Sequence, residues 1–173
     1  KNNVENGVYT AELLNWYTVE EFEELNKAIK HNRDFDIVYA GMEQWVSKYL
    51  VQNRVTKQKY ETPQIAYMLI AATAFNAYPE DIRLKCVKDY YNSLSQFYIT
   101  IPTPVLAGLR TSERQFSSCV GISVDDSLTS IKAGNAAIID YVSRKAGIGL
   151  SVGRIRAQGS AIRGGNAVHT GVT

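Results

Sequence analysis

Apolar positions in the first half of the chain recur at helical spacing. Phe22, Leu25 and Ile29 fall on one stripe. The stripe is preceded by Thr18 and Glu21, three residues apart, a reciprocal capping arrangement that marks a helix start. A second periodic stretch runs from Asp36 to Leu50, with Val38, Met42, Trp45, Val46 and Leu50 as its apolar positions. A short hairpin-like interruption, Val51 to Tyr60, follows, with Thr56-Lys57-Gln58-Lys59 at its tip. Thr62-Pro63 then places a capping hydroxyl before a proline at the first helical position, predicting a helix to about Asn76. Pro79-Glu80-Asp81 predicts another, ending near Ser95, with its acids at the end of the helix dipole that favours them.

The pattern changes after residue 96. Phe97-Tyr98-Ile99-Thr100-Ile101 is rich in aromatic and β-branched residues and reads as a strand that stops at Pro102. Ser117 to Val124 reads as a second strand. Asp126 reads as the N-cap of a helix carrying Leu128, Ile131, Ile138, Ile139 and Val142, and Gly147 to Val152 reads as a buried strand. Strand, long helix, strand is a βαβ unit with a parallel pair. Gly153 to Gly165, with glycines and serines among arginines, reads as a loop. The expected organisation is a mostly helical region over residues 1–96 and an α/β region over 97–173, sharing one core without a linker.

Composition narrows the class. The 173 residues are 45% hydrophobic and 21% charged, the balance of a globular protein with a real core. A formal charge of +2 gives no nucleic-acid footprint, so no nucleic-acid partner is expected. The longest apolar run, Ile65 to Phe75, falls short of the roughly 20 residues that cross a bilayer, so no membrane span is expected. Two cysteines, Cys86 and Cys119, do not make a disulfide scaffold, and a reducing cytoplasm is the expected compartment. The chain opens on Lys1 and closes on Gly171-Val172-Thr173, which reads as two cuts through a longer polypeptide.

Several stretches carry a more specific signal. They are Lys48-Tyr49-Leu50-Val51-Gln52-Asn53-Arg54-Val55, Pro102-Thr103-Pro104, Arg110-Thr111, and Arg114-Gln115-Phe116-Ser117-Ser118-Cys119. Arg144-Lys145-Ala146-Gly147-Ile148-Gly149, Gly153-Arg154-Ile155-Arg156, Ile162-Arg163-Gly164-Gly165 and His169-Thr170-Gly171 follow in order. In this order and register the chain resembles the large, substrate-binding subunit of class I ribonucleotide reductases over nearly its whole length. The resemblance implies a helical region leading into the first strands of a ten-stranded α/β barrel, with Cys119 pointing inward. It also implies the reduction of ribonucleoside diphosphates by a radical mechanism.

By that resemblance Cys119 is one of two thiols that reduce the ribose and end as a disulfide, an exchange that supplies two electrons. Taken alone, a cysteine in an apolar run is a small buried hydrophobe, and Cys86, with no motif around it, keeps that reading. Thr103, Ser118, Cys119 and Gly147 correspond to the substrate site. A hydroxyl between two prolines sits on rigid extended backbone, and a glycine admits close approach of a ligand. Asp126, Ser127 and Leu128 correspond to contacts with the sugar and base of an effector nucleotide, and Arg156 and Arg163 to contacts with its triphosphate. Guanidinium forks suit phosphates. Without the resemblance the arginines would read as a solvated basic loop. The loop is not a Walker P-loop, whose glycine–lysine signature is missing.

The resemblance further implies partners and cofactors outside this sequence. They are the C-terminal remainder of the large subunit, joined in cis or supplied in trans, a second large subunit paired through the helix after Asp126, and a small subunit with a radical-generating metal centre. A deoxynucleoside triphosphate or ATP is implied as effector, and thioredoxin or glutaredoxin as reductant; no metal is expected in this chain. The radical-forming cysteine and the second reducing cysteine lie downstream in the family, so the chain alone is expected to be inert. Two competing readings are a non-catalytic deoxynucleotide-binding and dimerisation module, and a different reductase class using the same barrel.

Overall fold

A computed structural model describes residues 2–53, 55–144 and 146–171. The chain separates into two compact units, Lys1–Phe116 and Ser117–Thr173. The first unit is helical. Short helices α1 (Asn2–Glu5) and α2 (Leu13–Trp16) lead to α3 (Val19–Ala28), a 3-10 turn at His31–Asp36, and α4 (Tyr39–Gln44). That helix widens into a π turn at Trp45–Tyr49. Then come α5 (Pro63–Ala74), α6 (Glu80–Ser95) and α7 (Thr103–Gly108).

The helix starts follow their capping chemistry. Thr18 and Glu21 form the reciprocal capping box, with Thr18 N donating to the Glu21 carboxylate at 2.8 Å and Glu21 N donating to Thr18 Oγ1 at 3.2 Å. Thr62 caps α5, and Pro63 occupies its first turn. Between α4 and α5, Gln52 and Lys59 pair in an antiparallel bridge, so the predicted hairpin is present. The predicted helix over 36–50 is instead the 3-10 turn, α4 and the π turn in succession.

Helix α5 is the centre of this unit. Ala66, Met68, Ile70, Ala71 and Ala72 are buried, and α6 supplies Val87, Tyr91 and Leu94 against it, with Leu25 and Trp45 completing the cluster. Several polar groups inside it are paired. Gln64 Oε1 accepts from Tyr91 Oη and Ser95 Oγ, both at 2.8 Å, and Tyr91 Oη accepts from the Lys30 amide. Beside this network, burial raises the Asp34 carboxyl above its ordinary range, against the opposing pull of Gln64, His31 and Thr62. Arg83 joins the layers: it donates to Glu21 at 2.6 Å and lies 4.6 Å from the Tyr17 ring centroid, while Tyr17 Oη donates to Ala72 O at 2.7 Å.

The most deeply buried charges are Glu61 and Arg110, whose side chains have 0% exposure. Arg110 Nε donates to Glu61 Oε2 at 2.8 Å, and its Nη2 also donates to Glu61 Oε1. The remaining valences of the pair go to the chain around it. Arg110 Nη1 donates to Leu106 O and Nη2 to Tyr49 O, at 2.7 and 3.0 Å. Glu61 accepts from Tyr9 Oη at 2.9 Å and from the Val51 amide at 2.8 Å. The pair therefore holds the N-terminal segment, the end of the π turn, the entry to α5 and the end of α7 at one point.

Two further expectations fail in this unit. Phe97–Ile101 is not a strand: it is the exit from α6. Phe97 takes φ of 61°, its amide donates to Leu94 O and the Tyr98 amide donates to Ser93 O. That is a Schellman termination with phenylalanine in the left-handed position usually held by glycine. Thr103 does not lie on extended backbone: Pro102 is extended, and Thr103 begins α7 with Pro104 beside it. The sequence pattern changes at 96/97, whereas the chain separates by contacts at Phe116/Ser117.

The second unit is the predicted βαβ. Strand β1 (Cys119–Asp125) leads through α8 (Leu128–Ser143) to β2 (Gly147–Arg154), which pairs with β1 in parallel. Cys119 lies opposite Gly147, Gly121 opposite Gly149 and Ser123 opposite Ser151, with an irregularity before Asp125↔Arg154. Helix α8 crosses the pair at Gly134, where a β-carbon would overlap Val124 Cγ1 and reach Ile122 Cγ2 at 3.8 Å. A mid-helix glycine costs intrinsic stability, and here close packing on the sheet requires it. The predicted buried strand is instead exposed over most of its length: one face carries glycines and serines, and Leu150 and Val152 on the other are exposed as well. The cap of α8 is Ser127, not Asp126: Ser127 Oγ accepts from the Ser130 amide at 3.1 Å. The stretch read as a loop, Gly153 to Gly165, instead opens with the end of β2 and closes with β3 (Ala161–Ile162) and the turn Arg163–Gly165, after which β4 (Ala167–Val168) pairs with β3 as a hairpin. Among the described residues no helix is long and apolar enough to cross a membrane.

Two outcomes follow for the helical unit. Removing one partner of the buried pair strands the other charge, so Arg110→Met should lower unfolding free energy by about 3–5 kcal/mol. Both tryptophans, Trp16 and Trp45, lie in this unit, so urea unfolding followed by their fluorescence reads it directly. A loss below 1 kcal/mol would mean the pair is dispensable. The second concerns pH. Burial pushes the Tyr17 and Tyr67 phenols up to about 12 and raises Tyr90 and Tyr9 as well, with Glu61 adding to the shift at Tyr9. Because the folded-state values of Tyr17 and Tyr67 are raised, their stabilising effect is complete below about pH 10 and disappears as pH rises from about 10 to 12. The same unfolding midpoint should fall across that window, and less steeply in Tyr17→Phe; a flat midpoint from pH 9 to 11.5 would contradict the assignment.

Candidate functional site

The nine residues singled out by sequence fall into distinct places. Thr103 is half-buried at the start of α7 in the first unit, and the others lie in the second unit. Ser118, Cys119 and Gly147 are brought together by strand pairing. The Gly147 amide donates to Ser118 O at 2.8 Å, and Cys119 and Gly147 are register partners. A β-carbon on Gly147 would sit 3.7 Å from Cys119 Sγ, so the glycine leaves that flank of the thiol open. Cys119 is a free, exposed thiol at the first position of β1. Beyond it, on the same face, stand Gly121, Ser123, Gly149 and Ser151 by the alternation of the strands. At Gly121 and Gly149 a β-carbon would meet nothing within 4 Å. A thiol set among such small groups is accessible from that face. Cys86, by contrast, is half-buried on α6.

The second cluster lies at the other end of the strand pair. The chain leaves β1 through Asp125 and Asp126 and enters α8 at its Ser127 cap. The Asp125 amide donates to Ser130 Oγ at 2.9 Å, which fixes the corner. Asp126 and Arg156 are joined: Arg156 Nε donates to Asp126 Oδ2 at 2.7 Å. Arg156 Nη1 also reaches Ala161 O at 3.3 Å, linking the helix start to β3. Next to them Arg154 Nη1 donates to Asp125 Oδ1 at 3.0 Å. Leu128 is exposed at the first turn of α8, and the exposed apolar side chains Ile139 and Val142 lie further along the same helix.

Arg163 sits on the β3–β4 turn, where Arg163, Gly164 and Gly165 successively take φ of 53°, 66° and 93°. Glycine tolerates this backbone, while Arg163 adopts it at some cost. The hairpin is lengthened by Gly159 N to His169 O and His169 N to Ser160 O, both at 2.8 Å. This places Arg163 at the tip of an ordered arm. Sequence reading did not single out Arg154, Asp125, Ser130 or Ala161, whose roles depend on strand register and on a hairpin too short to read. Arg110 was visible only as part of a motif, since its partner Glu61 is distant in sequence. Among the described residues no group of His, Cys, Asp or Glu is placed to share a metal ion.

Comparison with known proteins matches the same division. Residues 35–114 match the model described as ribonucleotide reductase, all-alpha domain, and residues 117–173 match ribonucleotide reductase, barrel domain. The chain is 53% identical over 168 residues to ribonucleoside-diphosphate reductase 1 subunit alpha of Escherichia coli, covering 97% of this chain and 22% of that protein. It is 50% identical over 171 residues to subunit alpha of Buchnera aphidicola subsp. Baizongia pistaciae, covering 99% and 22% respectively. Against subunit alpha of Haemophilus influenzae it is 52% identical over 163 residues, 94% of this chain and 22% of that one. The chain thus spans about a fifth of the length of these relatives. With both domain models matched in order and relatives this similar, the chain belongs to the ribonucleotide reductase large-subunit family.

Proposed function

We propose that this chain is part of a ribonucleoside-diphosphate reductase large subunit. In this reading it contributes one reducing thiol, one side of the substrate site and the effector-binding corner. The observation that carries the reading is the placement of Cys119, an exposed thiol opposite Gly147 on a face of small residues. A thiol that must reach a ribose and then pair with a second cysteine needs such an approach. In the balanced step, two thiols lose two electrons and two protons and become a disulfide. A ribose C–OH becomes C–H, and the hydroxyl leaves as water. An external dithiol, of the thioredoxin or glutaredoxin type, then reduces the disulfide. Ser118 and Gly147 border the thiol within the second unit.

The second thiol, the radical-forming cysteine and the small subunit with its metal centre belong to other polypeptide segments in this proposal. The large subunit works as a homodimer, and the exposed apolar side chains Leu128, Ile139 and Val142 make α8 suitable for that contact. The cytoplasm, with its dithiol reductants, is the fitting compartment. Asp126, Ser127 and Leu128 would receive the sugar and base of a deoxynucleoside triphosphate or ATP, and Arg156 and Arg163 its phosphates. Guanidinium groups at β2's exit and on the hairpin tip suit an extended polyanion.

Two experiments test this. When the chain is combined with the rest of the large subunit and the small subunit, ribonucleoside diphosphates should be reduced with a dithiol reductant. Cys119→Ser should abolish the dithiol-driven turnover, and repeated turnover in that variant would end the redox assignment. For the effector corner, Arg156→Ala or Arg163→Ala should weaken binding of a deoxynucleoside triphosphate to the assembled dimer by about tenfold, the loss of one charge-assisted contact. Equilibrium binding that is unchanged in both variants would remove the triphosphate role.

A further inference from the structure

Asp126 and Arg156 stand at opposite ends of the proposed nucleotide contact, sugar and phosphate, yet they hold each other. Arg156 Nε donates to Asp126 Oδ2 at 2.7 Å, and the two side chains keep 37% and 35% of their exposure. A phosphate gripped at two points on the side of a guanidinium uses Nε together with Nη2. Asp126 already occupies the Nε hydrogen. The Asp126 carboxylate would also stand beside the incoming negative charge. Arg163, exposed on its turn, has no carboxylate partner among the described residues.

We infer that the Asp126–Arg156 ion pair is a latch on the effector corner, which a polyphosphate must open by taking the guanidinium from the carboxylate. The inference rests on the effector reading above and adds how that site is regulated. Partial exposure makes the exchange feasible: water reaches both charges, so the pair is weak, and a multiply charged ligand competes with it readily. Opening has a structural consequence. Arg156 also donates to Ala161 O, so its movement changes the link between the start of α8 and β3. Release of Asp126 at the same moment frees a carboxylate to accept from a sugar hydroxyl. Phosphate capture and sugar recognition are then one event.

The neighbouring Asp125–Arg154 pair supplies an internal control. It has the same charges, one residue before Asp126 and two before Arg156, is 66% and 69% exposed, and does not involve Arg156. The probe is inorganic tripolyphosphate, which has no sugar for Asp126 to bind, titrated into the complete large subunit at fixed ionic strength. Asp126→Ala should tighten its binding about three- to fivefold, whereas Asp125→Ala should change it less than twofold. Placed on an Arg156→Ala background, Asp126→Ala should give no gain. Equal gains from both aspartate variants, or a gain that survives without Arg156, would show general charge relief and overturn the latch while leaving the effector site standing. Tripolyphosphate binding that ignores both Arg156→Ala and Arg163→Ala would overturn the effector reading, and the latch with it.

Discussion

Taking a carboxylate and a guanidinium fully out of water costs several kcal/mol for each, and their attraction offsets that only if every remaining valence is also satisfied. Glu61 and Arg110 meet that condition by using backbone. The carbonyls of Tyr49 and Leu106 and the amide of Val51 are groups that a π turn, a helix and a hairpin leave without regular partners. The pair collects them, together with the Tyr9 hydroxyl. Replacing both charges by apolar side chains would therefore leave polar groups stranded in the interior, each costing about 1–3 kcal/mol. Segments remote in sequence are fixed at one point, and α5 begins directly from it. The apolar packing of α5 against α6 supplies bulk stabilisation, while the ion pair decides how the irregular segments meet.

Much of the helical unit was legible because its signals are local. A capping hydroxyl, an acid three residues on and a proline in the first turn act within a few residues, so α3, α5 and α6 start where the sequence places them. The failures share a cause: tertiary context overrode local preference. Phe97-Tyr98-Ile99 has strand-forming side chains, yet the α6 carbonyls needed partners, and a left-handed Phe97 supplied the turn that delivers them. The Glu61–Arg110 pair could not be read at all, since an isolated arginine motif does not name a carboxylate so far along the chain.

In the second unit the order of elements was legible and the geometry of the site was not. The βαβ pattern followed from periodicity, but register decides that Cys119 faces Gly147 and that the thiol's face carries small residues. Asp126 was expected to cap α8. Ser127 performs that role, because its hydroxyl reaches the Ser130 amide, and the carboxylate is left for Arg156. The displacement by one residue matters. An aspartate committed to capping would be held by backbone, whereas one held only by another side chain can be released.

The same ion-pair chemistry thus appears in two settings with opposite consequences. At 0% exposure, Glu61 and Arg110 have no solvent to replace a lost partner, so separating them costs the full burial penalty and the contact is permanent. At roughly one-third exposure, Asp126 and Arg156 can each turn to water or to a ligand at small cost, so the contact is exchangeable. Burial, rather than distance or residue type, separates a fastener from a switch. The helical unit needs the first, because its irregular segments have no sheet to order them. The strand-end corner suits the second, since the parallel pair and the Ser127 cap already fix its backbone and leave the charged side chains free to change partners.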